Sequence, residues 1–154
     1  VAQTHGLWQV RESIPLAQAE AGLNVKHDIA VPISAMAAFV ADTGAALAAA
    51  FPGVRMITFG HLGDSNLHYN VQAPEGVDPA AFLQQHEAAI NTLVLDAVHR
   101  VGGSISAEHG IGQLKRNILP RYQSPVALGM MRAIKQALDP QNIMNPGKVL
   151  PDQA

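Results

Sequence analysis

Three observations predict an α+β fold for this chain: a ferredoxin-like split βαβ antiparallel sheet with helices on one face, plus C-terminal helices. Short segments rich in β-branched residues and bounded by Pro, Gly or polar turns read as strands. Two longer segments between them carry apolar residues at helical spacing. From Asn24 onward the order is β-α-β-β-α-β, the pattern of the split βαβ unit. The chain has 154 residues, 48 % of them apolar, which suits one domain, 1–154, with its own core.

The elements follow in order. Leu7 to Ala21 reads as a helix ending at Gly22, with Pro15 inside it as a potential break or kink. Asn24 to Val31 reads as a strand stopped by Pro32. Ser34 to Phe51 is an Ala-rich helix with Met36, Val40 and Leu47 near one face, ended by Pro52-Gly53. Val54 to Phe59 and Asn66 to Ala73 are strands close enough in sequence to form an antiparallel hairpin. Asp78-Pro79 supplies an N-cap and an N1 proline for a long helix to about Val101, striped by Leu83, Ile90, Val94 and Ala97. Ser104 to Ser106 follows Gly102-Gly103 as a short fourth strand. A short helix is expected over Ile111 to Asn117 and another from Pro125 to Leu138. The tail from Asp139 to Lys148 is too rich in Pro, Asn and Gly for regular structure.

Charged residues are only 14 % of the chain, which predicts that part of its surface is covered by something else. The net charge of −2 excludes a non-specific nucleic-acid binder. Before Arg100 there are three basic and nine acidic residues, and from Arg100 onward seven basic and three acidic. That basic third faces either a phosphate-bearing ligand or solvent, the plainer reading. Without cysteine there are no disulfides, thiolate metal sites or thiol nucleophiles. No apolar run reaches the length expected of a membrane span, and no signal-peptide pattern is visible. The first residue is Val, so a piece of a longer polypeptide is expected.

Chemistry-bearing side chains concentrate in two short segments. In Phe59-Gly60-His61-Leu62-Gly63-Asp64-Ser65-Asn66-Leu67-His68-Tyr69-Asn70, two histidines bracket a turn. Strand alternation puts Asn66, His68 and Asn70 on one face and Leu67, Tyr69 and Val71 on the other, towards the helices. The hairpin can bring His61 beside His68, and Glu108 can add a carboxylate. Two imidazoles and a carboxylate with open positions suit Zn, Mn or Fe. Polar strand ends hydrogen-bonded to loops would read the same way. The second segment is Ser106-Ala107-Glu108-His109-Gly110-Ile111-Gly112. A helix starting there would favour a proton-accepting His109; a turn histidine is the plainer reading. Gly110, Gly112, Lys115 and Arg116 match no phosphate loop. Arg11 can grip a carboxylate in two parallel bonds or simply be solvated. His5, His27, His86 and His99 read as surface or structural residues.

These residues resemble a known family. Gly60 to His68, Ser106 to Gly112 and Asp139-Pro140 through Asn145-Pro146-Gly147-Lys148 are similar to the C-terminal domain of FAD-linked 2-hydroxyacid dehydrogenases. That family includes the glycolate oxidase flavin subunit, D-lactate dehydrogenase and D-2-hydroxyglutarate dehydrogenase. Arg11-Glu12-Ser13 and Lys26-His27-Asp28 fall where its Arg and Lys motifs lie. The resemblance implies a larger N-terminal domain, outside these residues, that binds most of the FAD. It implies His61, His68 and Glu108 as ligands of a divalent metal and His109 as the base that takes the hydroxyl proton. It also implies Arg11 and Lys26 as carboxylate anchors, Asn70 as a substrate contact, and Asn66 and Asn145 near the flavin. Two positions depart from the family: Ser65 stands where Gly is frequent, and Pro15 where 2-hydroxyglutarate-type members carry a hydroxyl residue. The second departure points to a small D-2-hydroxyacid of lactate or glycolate type.

The expected partners are that substrate, the FAD domain, an electron-acceptor protein or quinone, and a second copy in a homodimer. The expected location is cytoplasmic or peripheral to the inner membrane, and the isolated chain is expected to be inactive. A free-standing metal-dependent hydrolase would act without FAD. A non-catalytic interaction module would tolerate loss of His61 and His68.

Overall fold

In the computed structural model, residues 2–151 are described. The first helix, α1 (Ala2–Glu20), runs unbroken through Pro15. Two short strands follow, β1 (Asn24–Val25) and β2 (Asp28–Ala30), then helix α2 (Ile33–Ala50). Strand β3 (Arg55–Phe59) and strand β4 (Asn66–Gln72) form the hairpin. The long helix α3 (Pro79–Arg100) is capped by Asp78, whose carboxylate accepts the Ala80 and Ala81 N–H groups. Helices α4 (Leu119–Tyr122) and α5 (Pro125–Leu138) precede the irregular tail.

Strand β4 is the centre of the antiparallel sheet. One edge carries β3, with Phe59 opposite His68. Its other edge carries β1 and β2, with Val25 opposite Val71 and Asp28 opposite His68. The single strand expected over Asn24 to Val31 is thus divided at Lys26-His27, though the His27 carbonyl still accepts the Tyr69 N–H at 2.9 Å. Outside β2, the expected fourth strand is reduced to one bridge between Ala30 and Ser104. Gly103 makes that approach feasible, because a Cβ there would lie 2.4 Å from the Ala30 carbonyl oxygen. The order matches the predicted split βαβ sheet.

The apolar face of β4 carries Leu67, Tyr69 and Val71, all buried in one core with Phe39 and Leu47 of α2 and Ile90, Val94 and Val98 of α3. The Tyr69 ring meets Phe39 edge-on, with centroids 5.7 Å apart. Helix α2 is long and apolar enough to cross a membrane by length and composition, contrary to the expectation from sequence. Its Met36, Phe39, Thr43 and Leu47 are buried in this core.

Two expectations fail here. Residues 111–117 form consecutive turns, not a helix. Gly110 and Gly112 adopt positive φ, 73° and 57°, outside the helical region. No helix end therefore stands behind His109. The polar face of β4 is also not an open ligand platform, since Asn66 and Asn70 are buried. Helix α1 reaches over it, and Gln18 accepts a hydrogen bond from the Asn70 amide at 2.8 Å.

Candidate active site

The hairpin turn brings the first two histidines to the site. A Cβ on Gly60 would lie 2.2 Å from the Asn66 carbonyl oxygen, so the strands can close this tightly only around glycine. A 3₁₀ turn, Leu62–Asp64, follows, and Ser65 reverses the chain in the left-handed region at φ 59°. His61 leaves this turn exposed, with Nδ1 at 3.2 Å from Glu108 Oε1. His68 is half-buried, with Nε2 at 3.8 Å from Glu108 Oε2 and Nδ1 at 3.9 Å from Asp28 Oδ1. Its ring lies between those of Phe59 and His109, with centroids at 4.9 and 5.8 Å. Burial pushes the His68 pKa down, against the opposing pull of Asp28 and Glu108. That favours the neutral imidazole a metal ligand needs.

The second segment is held from a distance in sequence. Asp28 is buried, and its Oδ2 accepts the backbone N–H groups of Ala107, Glu108 and His109 at 3.2, 3.0 and 2.9 Å. Its Oδ1 accepts the Asn66 amide at 3.2 Å. Burial alone would raise the Asp28 pKa; the N–H groups and nearby His109 outweigh it and hold the carboxyl below its ordinary value. Lys115 ties the same loop down, with Nζ donating to the carbonyls of Ile105 at 2.6 Å and Asp28 at 3.3 Å. Its ammonium is therefore spent inside the protein rather than offered to a phosphate. Several other cations of the basic third are also engaged: Arg121 pairs with Asp96 at 2.7 Å, Lys135 with Asp139, and Lys148 bonds Gln113 at 2.8 Å.

A cavity of about 550 Å³ lies beside this cluster, lined by Pro15, Gln18, Lys26, Asn70, His68 and His109 among others. The exposed Lys26 can reach a ligand there. Arg11 stands at the rim, its guanidinium 5.2 Å from the centre of the Phe59 ring. Asn70 is committed inside the protein: its Oδ1 accepts the His27 N–H at 3.2 Å while its amide donates to Gln18. Asn145 sits elsewhere, lining a groove with Met144, Leu138 and Ile134. Of the residues singled out from sequence, His61, His68, Glu108, His109, Lys26 and Asn70 thus share one region, Arg11 edges it, Asn66 supports it from below, and Asn145 lies apart.

Donor atoms around an ion bonded at about 2.0–2.2 Å stand roughly 3 Å apart. His61 Nδ1 and His68 Nε2 approach that spacing from Glu108, at 3.2 and 3.8 Å, but each faces a different carboxylate oxygen, and His61 is not among the donors that gather within 4.8 Å of one another. Those donors come from Asp28, His68 and Glu108. Sequence reasoning gave no role to Asp28, Lys115 or Gln18. The signal for Asp28 was a carboxylate next to Ile29-Ala30-Val31 inside a segment read as a strand, where a buried charge is accepted only when it is bonded.

The sequence model of the family described as "FAD linked oxidases, C-terminal domain" matches residues 2–149. A D-2-hydroxyglutarate dehydrogenase of Xanthomonas citri pv. viticola is 43 % identical over 148 residues, 96 % of this chain and 31 % of that protein. A protein of the same name from Stutzerimonas stutzeri is 37 % identical over 147 residues, again 96 % of this chain and 31 % of that protein. The mitochondrial D-2-hydroxyglutarate dehydrogenase of Rattus norvegicus is 38 % identical over 148 residues, 96 % of this chain and 26 % of that protein. The chain spans at most about a third of the length of these relatives.

Proposed function

This chain belongs to the C-terminal domain family of FAD linked oxidases, and from that premise we propose that it is the substrate-side part of a flavin-dependent D-2-hydroxyacid dehydrogenase. The observation that carries the reading is the convergence of His61, His68, Glu108 and His109 beside a cavity that also holds Lys26. Lys26 in the cavity and Arg11 at its rim anchor the carboxylate of the acid. A divalent metal would be held by His61, His68 and Glu108, and would there lower the pKa of the substrate hydroxyl. His109 takes the proton from that hydroxyl. FAD, held mainly by a further part of the protein, supplies the acceptor for the hydride leaving C2. The exposed apolar residues Leu7, Trp8 and Leu114 offer contact surface for that part.

Among substrates, D-2-hydroxyglutarate comes first, on the names of the relatives. A short acid such as D-lactate or glycolate is the second reading. Pro15 favours it: this residue lines the cavity and has no donor for a second carboxylate.

The test uses the full-length protein that contains this chain. Its flavin spectrum is followed anaerobically while D-2-hydroxyglutarate, D-lactate and glycolate are added in turn. Bleaching by one of them, lost with a chelator, supports the reading and names the substrate. A preparation without flavin, or flavin untouched by every 2-hydroxyacid, overturns it.

A further inference from the structure

We propose that Asp28 is a positioning residue: its buried carboxylate shapes the 106–109 loop so that Glu108 reaches both histidines and His109 stands beside the cavity. Glu108 and His109 lie beyond the last backbone bridge of the sheet, Ala30 to Ser104. Past that bridge no strand or helix fixes the chain until Leu119. Three successive N–H groups there, those of Ala107, Glu108 and His109, turn onto one oxygen of Asp28. Such a set fixes the loop's path and hence the directions in which residues 108 and 109 project. Asp28 is in turn located by β2, directly opposite His68 in the ladder, and by the Asn66 amide from the same strand as His68. One carboxylate therefore registers the loop against the strand that carries His68. Asp28 also lies near His68 and Glu108, which invites a ligand role. Three loop donors on Oδ2 commit that oxygen to support; Oδ1, which accepts only the Asn66 amide, is the one atom that could ligate, and the test below separates the two roles.

This inference rests on the proposed function for its catalytic consequence but not for its structural one, and the test separates them. In the full-length protein, Asp28→Asn and Asp28→Ala are compared with the parent by three readouts. These are hydrogen exchange of a peptide spanning residues 104–112, Zn²⁺ affinity by competition with a chromophoric chelator, and kcat with KM for flavin reduction. Asparagine keeps the volume but must turn an NH₂ group towards either the loop or Asn66. We expect exchange at residues 107–109 to rise at least tenfold while β4 stays protected. Zn²⁺ affinity should fall about 10–100-fold. The kcat should fall with KM within about twofold. Unchanged exchange overturns the proposal. So does loss of Zn²⁺ binding with the loop still protected, which would make Asp28 a ligand. Should both variants fail to fold, Asn66→Ala removes the donor at Oδ1 only. Loosening of 107–109 then supports the proposal and its absence overturns it. If the parent binds no Zn²⁺, the metal reading fails while the exchange result still decides the role of Asp28.

Discussion

Two buried aspartates do the same structural work in two irregular segments of this molecule. Asp28 gathers the N–H groups of Ala107, Glu108 and His109; Asp139 gathers those of Ile143 and Met144, at 2.9 Å each. Each gives an irregular segment the backbone partners that a helix or sheet would otherwise supply. They differ in what neutralises the charge. Asp139 is bonded by the ammonium of Lys135, one helical turn earlier, which also caps the Met144 carbonyl. Asp28 has the rings of His68 and His109 at 3.9 and 3.7 Å and no arginine or lysine side chain bonded to its carboxylate among the described residues. A carboxylate with a full counter-ion closes its surroundings. One whose nearest partners are imidazoles leaves chemistry free to happen there. The same device serves a scaffold in one place and a site in the other.

The sharpest way to separate the two segments is to remove the proton acceptor. His109→Ala in the full-length protein should lower kcat for flavin reduction by about 10²–10⁴-fold. Affinity for Zn²⁺ should stay within a factor of a few, since His109 is not among the proposed ligands. Asp139→Asn should leave kcat within about twofold. Rapid-scan anaerobic reduction measures both. Equal losses from the two substitutions would erase the distinction between a site aspartate and a scaffold aspartate.

The next effect is one of pH on stability in the mildly acidic range, and it arises next to Asp28. His27 is buried beside Asp28, with its Nδ1–H donating to the Tyr69 carbonyl at 2.7 Å. Burial pushes its pKa down from 6.5 to about 4, against that hydrogen bond. Between those values the unfolded chain binds a proton that the folded one refuses. Stability should therefore fall as pH drops from about 6.5 to about 4, by roughly 3 kcal/mol in total, and level off below. His27→Gln should flatten that arm. Urea unfolding followed by circular dichroism at several pH values measures it, and an unaltered slope in the variant would assign the arm to other groups.

A smaller, purely steric effect tests whether the loop depends on the sheet edge beneath it. Gly103→Ala would drive a Cβ to 2.4 Å from the Ala30 carbonyl oxygen and 2.9 Å from Val98 Cγ1. The backbone must shift, and the bridge to Ser104 with it. We expect a loss of about 2 kcal/mol or more, together with faster exchange across residues 104–109. Gly129→Ala, on the helix that leads to the other aspartate, meets nothing within 4 Å and should stabilise α5 by up to about 1 kcal/mol.

How much of this was legible follows the same division. The β3–β4 hairpin, the α2 and α3 helices and the Asp78-Pro79 cap were readable because local pattern and tertiary packing agree there. Leu67, Tyr69 and Val71 alternate into the core as period two demands. That His61 and His68 flank one hairpin turn was readable from their short spacing; that Glu108 reaches both, from 47 residues beyond His61, is a contact only the fold shows. The 111–117 helix was not, because Gly110 and Gly112 take positive φ and Lys115 is drawn towards carbonyls of β2 and the 105 loop. Asp28 was missed for a related reason. Its partners lie 79 to 81 residues away, and no periodicity reports contacts of that range.

The least expected effect concerns the tail. Lys135, together with the N–H groups of Ile143 and Met144, holds the Asp139 carboxyl below its ordinary pKa, against its burial. For an acid shifted in this direction, the folded state keeps its charge at pH values where the unfolded chain has begun to take up a proton. The stabilisation is complete above the ordinary carboxyl pKa of about 3.9 and is lost as pH falls through the lower folded value. Acid should therefore release the Ile143 to Lys148 turn before the sheet opens. Asp139→Asn should release it at every pH, with limited proteolysis at Lys148 and the amide signals of Ile143 and Met144 as the readouts. Activity should persist in that variant unless the tail touches the flavin, where Asn145 was expected from sequence. A variant with a loosened tail and lost flavin reduction would give Asp139 a positioning duty like that of Asp28.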